Sequence, residues 1–198
     1  MKNLTEKRLR NLYLKGKKSV AEIAKVFNCS ERGINYWMTK YNIPKRTISE
    51  AVYIKRNPKG DPFEVRSNFN DKEIKLKGLG LGIYWGEGDK SPNNTSVRLG
   101  NTDPFLIKKF REFLLKIYRV KKKKIQYGLI LFNDIQESVA VSFWKKHLSV
   151  KREQLGKITI IPPQGVGTYK KKSQYGVLSI IFTNKKLKEI ILREIKNL

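Results

Sequence analysis

Cysteine and histidine are almost absent from the sequence, and acidic residues are scarce. There is 1 Cys and 1 His among 198 residues, so Cys29 cannot form an internal disulfide or a Cys-type zinc site, and His147 cannot supply the His cluster of a zinc enzyme. No apolar stretch approaches the roughly 18 residues of a membrane span, and the first residues lack a signal peptide's apolar core. We expect a soluble intracellular protein, cytoplasmic or nucleoid-associated, with no membrane partner.

Basic residues are in large excess. The sequence holds 43 Lys and Arg against 17 Asp and Glu, a formal net charge of +26. Residues 1–60 have a net charge of +11 and residues 61–198 a net charge of +15. This charge attracts polyanions such as nucleic acids, and 39% hydrophobic residues are enough for folded cores. The expected partner is a nucleic acid rather than a small-molecule substrate.

Three short helices are predicted within residues 5–47. Thr5, Ser19 and Ser30 each stand where an N-cap residue is preferred, and apolar residues recur at helical spacing after each of them. Those apolar residues are Leu9, Leu12 and Tyr13, then Val20, Ile23, Ala24 and Phe27, then Ile34, Trp37, Met38 and Tyr41. The small Ala24 and the tight turn before Ser30 resemble the helix-turn-helix family of DNA-binding proteins.

By this resemblance the third helix lies in a major groove of double-stranded DNA. Its outer face presents Arg32, Asn35, Tyr36 and Thr39 to base edges or phosphates. The resemblance implies a helix-turn-helix DNA-binding domain over residues 1–54. A three-helix module that contacts another protein is the alternative, and the basic outer face disfavours it.

The segment after the third helix is basic and leads into a turn-rich stretch. Pro44–Thr47 resembles the short arm that follows such helices, in which Lys45 and Arg46 insert into a minor groove. Pro58 and Pro62 then mark a stretch with the composition of a linker. We therefore predict a linker over residues 55–70 between two domains.

Residues 71–198 alternate between helical and strand patterns. The predicted helices begin near Asp71, Pro104, Ile135 and Lys185. The predicted strands are Ser96–Gly100, Ile125–Phe132, Ile158–Ile161 and Tyr175–Phe182. The whole chain is therefore expected to be α+β, with a three-helix module followed by a mixed domain.

Gly78, Gly82 and Gly86 lie four residues apart in the first of these helices. Each glycine costs about 1 kcal/mol relative to alanine inside a helix, so their spacing indicates that a second helix approaches this face closely. The stretch Gly80–Gly88 resembles the LAGLIDADG homing endonucleases, in which two such helices pack through small residues and each ends in an acidic side chain. Glu87 falls on that acidic position.

The resemblance implies a LAGLIDADG-like α/β domain over residues 71–198, with an antiparallel sheet that grips duplex DNA. Because the chain has one motif, it implies a homodimer in which two Glu87 carboxylates bind Mg²⁺ as the catalytic metal. Lys90 and Arg98 would contact DNA, and Asp89 would be an outer partner of the metal. Trp85 departs from the family pattern, since it replaces the first acid of the motif.

Two functions follow from these features. The first is a site-specific homing-type endonuclease that hydrolyses phosphodiester bonds with Mg²⁺, and the alternative is a non-catalytic, sequence-specific transcription regulator on the same scaffold. The lysine runs at 121–124 and 170–172 would contact phosphates in either case. An RNA-binding or ribosome-associated factor fits the charge but not the helix-turn-helix resemblance.

Overall fold

The chain divides into two compact units after Asp61 in the computed structural model, which describes residues 4–150, 152–162 and 174–198. The predicted linker is therefore shorter than residues 55–70. Residues 62–70 belong to the second unit, because Phe63 is buried in its core and the Glu64 backbone N–H donates to the Tyr118 carbonyl at 2.8 Å.

The first unit is helical. Its helices are α1 (Glu6–Arg10, continued by a wider turn over Asn11–Lys15), α2 (Val20–Phe27), α3 (Glu31–Lys40) and α4 (Ile48–Arg56). The predicted caps are confirmed, since the side chains of Thr5, Ser19 and Ser30 accept backbone N–H groups at the starts of α1, α2 and α3. Asn28 ends α2 in the left-handed conformation, with φ 48°, and turns the chain into α3.

Helices α1, α2 and α3 enclose a small core of their own. Leu9, Ile23, Ile34 and Met38 are fully buried in it, and Cys29 packs against it from a half-buried position. These are positions that the helical spacing predicted as apolar. The core explains why residues 5–43 fold as one module.

Helix α4 was not expected from the sequence. Thr47 and Glu50 form a reciprocal cap at its start, in which the Glu50 N–H donates to the Thr47 hydroxyl at 3.2 Å and the Thr47 N–H donates to the Glu50 carboxylate at 2.7 Å. No residue of α4 is buried, but Ile48, Ala51 and Val52 stand at helical spacing in the sequence. This spacing and the Thr-x-x-Glu pattern are the local signals that indicate the helix.

The second unit contains a four-stranded sheet, with strands β1 (Ser96–Asn101), β2 (Gln126–Phe132), β3 (Leu155–Ile161) and β4 (Val177–Thr183) in the order β1-β4-β2-β3. Strand β4 pairs antiparallel with β1 and β2, whereas β2 and β3 are parallel. The sheet is therefore mixed and not antiparallel throughout. Helix α7 (Glu137–Leu148) connects β2 to β3 and returns the chain so that both strands run in the same direction.

One face of the sheet packs against helices. The remaining helices of this unit are α5 (Asp71–Glu87), α6 (Pro104–Lys116) and α8 (Lys185–Lys196). Val97, Leu99 and Ile180 are buried with residues of these helices in one core. Arg98 and Gln126 alternate with buried residues along β1 and β2 and are exposed on the other face. Across the described ranges, no helix is long and apolar enough to cross a membrane.

Gly80 is the point of closest approach between α5 and α6. A Cβ at Gly80 would overlap the ring of Phe113, which is fully buried. Four residues further along α5, the Tyr84 ring stacks on Phe110 with centroids 5.6 Å apart. Helix α5 therefore packs through Gly80, Leu81 and Tyr84 and turns its opposite side outward.

Candidate functional site

The outward side of α5 is apolar and bare. A Cβ added at Gly78, Gly82 or Gly86 would meet no atom of the described chain within 4 Å. Leu79 and Trp85 flank these glycines and are 46% and 60% exposed. Residues 78–86 contain no charged side chain, although 30% of the whole chain is charged. We call Gly78, Leu79, Gly82, Trp85 and Gly86 the glycine face.

Glu87 is the last residue of α5 and its carboxylate is exposed. The helix ends there because Gly88 turns to an extended conformation and forms a backbone bridge with Leu99 of β1. A Cβ at Gly88 would overlap Tyr84, so the bend requires glycine. Glu87 therefore lies between the end of the glycine face and the edge of the sheet.

A glutamate at position 87 lowers the stability of α5. The last turn of α5 contains no basic residue, and a carboxylate at the negative end of a helix dipole costs roughly 0.3–1 kcal/mol. Lys90 partly offsets this, because its Nζ donates to the Trp85 carbonyl at 2.6 Å. Helix stability does not explain a glutamate here, which favours a functional role.

Asp89 shapes the turn that follows Glu87. Its carboxylate accepts the Ser91 N–H at 2.9 Å and the Asn94 side-chain N–H at 2.5 Å. Its backbone carbonyl accepts the Tyr84 hydroxyl at 2.8 Å, and its N–H donates to the Arg98 carbonyl at 2.9 Å. The hydrogen bonds from Asn94 and Ser91 are the main cause that lowers the pKa of Asp89. Asp89 was predicted as a partner of the metal, and in the structure its carboxylate is engaged by the turn.

Lys188 of α8 also contacts this turn, and sequence reasoning missed it. Its side chain is buried, and Nζ donates to the carbonyls of Ser91 at 2.8 Å and Asn94 at 2.7 Å. The detectable signal is its position beside Leu187 and Ile191 on the apolar side of a helix. A lysine there is rarely buried without a partner.

Arg98 lies on the outward face of β1. The strand register places it opposite Ile181 of β4, which in turn lies opposite Gln126 at the start of β2. The exposed helical turn Lys122–Lys124 comes directly before β2. Arg98 and this lysine run therefore supply positive charge at the level of the sheet where β2 begins. The run at 170–172 lies outside the described residues.

The predicted DNA-contact residues of α3 share one side of the helix. Arg32, Tyr36 and Thr39 are exposed, and Asn35 is half-buried. The Thr39 hydroxyl donates to the Asn35 carbonyl at 3.1 Å, so it is turned onto the helix. Arg32 and Tyr36 are the longest of these four side chains.

Arg46 has a structural role in the first unit. Its guanidinium stacks on the Tyr13 ring at 4.0 Å and donates to the carbonyl of Lys18 at 2.9 Å as well as to that of Tyr13. The end of a helix leaves such carbonyls without partners, which explains why Arg46 turns inward. The predicted insertion of Arg46 into a minor groove would break these contacts, whereas Lys45 is exposed.

Glu87 would supply one carboxylate per chain to a metal. Within the described ranges, no three His, Cys, Asp or Glu side chains come together. Mg²⁺ is commonly held by one or two carboxylates together with phosphate oxygens and water. One Glu87 carboxylate, or a pair from two copies, fits this requirement.

Comparisons of the chain with protein families, curated proteins and solved structures give no match. The function therefore rests on the residues themselves.

Asp89→Asn tests the turn beside Glu87. Because the pKa of Asp89 is lower in the folded protein than in the unfolded chain, where it is near 3.8, the carboxylate stabilises the fold above pH 3.8. This contribution is lost as the pH falls through the folded-state pKa. We expect the variant to lose about 1 kcal/mol of unfolding free energy at pH 7. In urea unfolding, the difference from wild type should shrink below pH 3.8.

Glu87→Gln is the matched control for this loss, because it makes the same carboxylate-to-amide change at an exposed position. It should not lower the unfolding free energy at pH 7 or below pH 3.8, and relief of the unfavourable interaction with the helix dipole should raise it slightly at pH 7. A pH-independent difference between Asp89→Asn and wild type would contradict the role given to the carboxylate.

Proposed function

We propose that the protein is a site-specific endonuclease of the homing type, which hydrolyses double-stranded DNA with Mg²⁺ as a homodimer. The observation that carries this proposal is the glycine face of α5, which is bare in one chain and ends at the exposed carboxylate of Glu87. The resemblance of Gly80–Gly88 to the LAGLIDADG motif supports the same function.

The glycine face is suited to pairing with its own copy. Glycines at helical spacing let two backbones approach closely, while Leu79 and Trp85 provide apolar area at the sides. An isologous dimer uses the same surface on both copies. A twofold axis that runs along the pair of α5 helices places both Glu87 carboxylates at one end.

The residues at that end can then divide the work of hydrolysis. The two Glu87 carboxylates would hold Mg²⁺, which supplies a polarised phosphate and an activated water when it is bound. Arg98 and Lys122–Lys124 would hold the DNA phosphates near the sheet. Hydrolysis adds one water across a P–O bond and leaves one phosphate end and one hydroxyl end.

Helix α3 would supply recognition of the target. Its exposed Arg32 and Tyr36 lie on one side, as a helix-turn-helix arrangement in a major groove requires. The net charge of +26 supports DNA as the partner, because phosphate contacts by lysine and arginine dominate the affinity.

A non-catalytic regulator of transcription is the second candidate. One observation favours it: Asp89, the acid nearest to Glu87 in sequence, is engaged by the turn. Each chain is then left with one carboxylate at this helix end. Both candidates bind DNA as dimers and differ in cleavage.

Glu87→Gln separates the two candidates. Wild type should cut a library of plasmid targets in the presence of Mg²⁺, and the variant should lose at least about 100-fold in rate, since an amide binds Mg²⁺ poorly. Binding of the cut sequence by the variant should persist in a gel-shift measurement. Cutting that persists in the variant would exclude Glu87 as a ligand, and binding without cutting by wild type would favour the regulator.

Gly82→Leu tests the dimer. One chain has room for the side chain, so the melting temperature of the variant should not fall, but a leucine would hold two α5 helices apart. Analytical ultracentrifugation should show a dimer for wild type and a monomer for the variant.

Gly80→Ala is the matched control on the other side of the helix. Its methyl group overlaps Phe113, so the variant should lose roughly 1–3 kcal/mol of unfolding free energy, yet it should still dimerise. Equal dimerisation by wild type and Gly82→Leu would refute the glycine face as the interface.

Arg32→Ala tests recognition by α3. A contact to a base edge should lower affinity for the target by about 1–3 kcal/mol more than affinity for unrelated DNA. Lys25→Ala removes one exposed positive charge from α2 and should lower both affinities equally. Fluorescence anisotropy on both duplexes gives the two values. An equal loss for Arg32→Ala would reduce Arg32 to a phosphate contact.

A further inference from the structure

Lys188 is a buried cation in the second unit. Lys188 is 3% exposed, and its neighbours Leu187 and Ile191 on α8 are fully buried. Burying an ammonium group is costly unless its donors and its charge are satisfied. The Lys188 side chain therefore has a specific task at this position, where an apolar residue would pack without that cost.

The partners of Lys188 define the task. Its Nζ donates to the Ser91 carbonyl at 2.8 Å and to the Asn94 carbonyl at 2.7 Å. Both carbonyls belong to the loop of residues 88–95, which joins α5 to β1. Backbone carbonyls of such a loop need partners when they are turned away from water. Lys188 satisfies both from a helix that lies more than 90 residues away in sequence.

The same loop is fixed at its start by α5 and β1. The Tyr84 hydroxyl donates to the Asp89 carbonyl, and the Asp89 N–H donates to the Arg98 carbonyl. Lys188 holds the far half of the loop through the Ser91 and Asn94 carbonyls, so the loop is fixed at both ends.

We propose that Lys188 is a positioning residue, which fixes the orientation of Glu87 by anchoring the loop that begins at the next residue. This inference rests on the proposed endonuclease function. Lys188 does not contact a phosphate in this arrangement, because two of its donors are used on loop carbonyls and its side chain is buried. Its effect on cleavage is transmitted through the loop.

Lys188→Met removes the charge and the donors and keeps the length of the side chain. We expect the single-turnover cleavage rate to fall by roughly 10- to 100-fold, the usual effect of losing a residue that orients a metal ligand. The Mg²⁺ concentration at half-maximal rate should rise, and the Kd for target DNA should stay within about twofold, since the DNA surface is unchanged.

Two variants control for charge and for stability. Lys185→Met removes one positive charge from an exposed position on the same helix, where Lys185 forms a 3.7 Å ion pair with Glu189. Ile191→Val trims a buried side chain of α8 without touching the loop. Both should keep the wild-type rate and Mg²⁺ requirement. A rate loss by Ile191→Val equal to that of Lys188→Met would show that destabilisation alone is the cause and would overturn the proposal.

Amide hydrogen exchange provides a readout that does not depend on cleavage. The Asp89, Ser91 and Asn94 amides should exchange faster in Lys188→Met, whereas the amides of β2 and β4 should keep their protection. If wild type cuts no DNA, the proposed function fails, and the exchange rates still decide whether Lys188 anchors the loop. Unchanged exchange at these amides would overturn the anchoring.

Lys188→Gln keeps the inference testable if Lys188→Met does not fold. Glutamine retains two N–H donors for the loop carbonyls but lacks the charge. If Lys188→Met folds, the cleavage rate and loop protection of Lys188→Gln should lie between those of Lys188→Met and wild type. If it does not fold, both values for Lys188→Gln should lie below those of wild type. Wild-type values for both measurements in Lys188→Gln would refute the role of the charge.

Discussion

The contact between Gly80 and Phe113 determines how the second unit presents α5. Because Gly80 has no side chain, the Phe113 ring lies directly against the backbone of α5, and Tyr84 stacks on Phe110 in the same interface. One side of the helix is thereby committed to the core. The opposite side, with its three regularly spaced glycines, is turned outward, and Glu87 is brought to the edge of the sheet. A larger residue at position 80 would overlap the Phe113 ring, so the ring or the α5 backbone would have to shift.

The residues at the end of α5 lower local stability and fix the position of the turn that follows. Glu87 opposes the helix dipole, Gly88 is required by the closeness of Tyr84, and Lys188 is buried to satisfy two loop carbonyls. Costs of this kind are concentrated where function requires a fixed arrangement. Their coincidence around the turn that follows α5 supports Glu87 as the centre of the candidate site.

Local patterns were sufficient to predict most elements, because caps and apolar periods are properties of neighbouring residues. Ser19 and Ser30 were found by their capping positions, and the helix that begins at Asp71 by the pattern of its apolar residues. Features decided by distant residues were missed. Arg46 turns inward because the carbonyls of Tyr13 and Lys18 accept its guanidinium. Strand β3 runs parallel to β2 because α7 returns the chain, and Lys188 is buried because the loop of residues 88–95 needs donors. Helix α4 was missed although its local signals, the Thr-x-x-Glu cap and the spacing of Ile48, Ala51 and Val52, are present in the sequence.

The proposed dimer explains why both units of the chain have a positive net charge. A twofold axis between two α5 helices doubles every feature of the chain, so the assembly would offer two α3 helices and two basic sheet edges. Paired recognition helices read paired half-sites related by the same symmetry. The single-chain excess of +26 would then be present twice in the assembly, which strengthens its attraction to DNA phosphates. One carboxylate per chain is sufficient in such an assembly, because the second acid of the metal site is the same residue of the other copy.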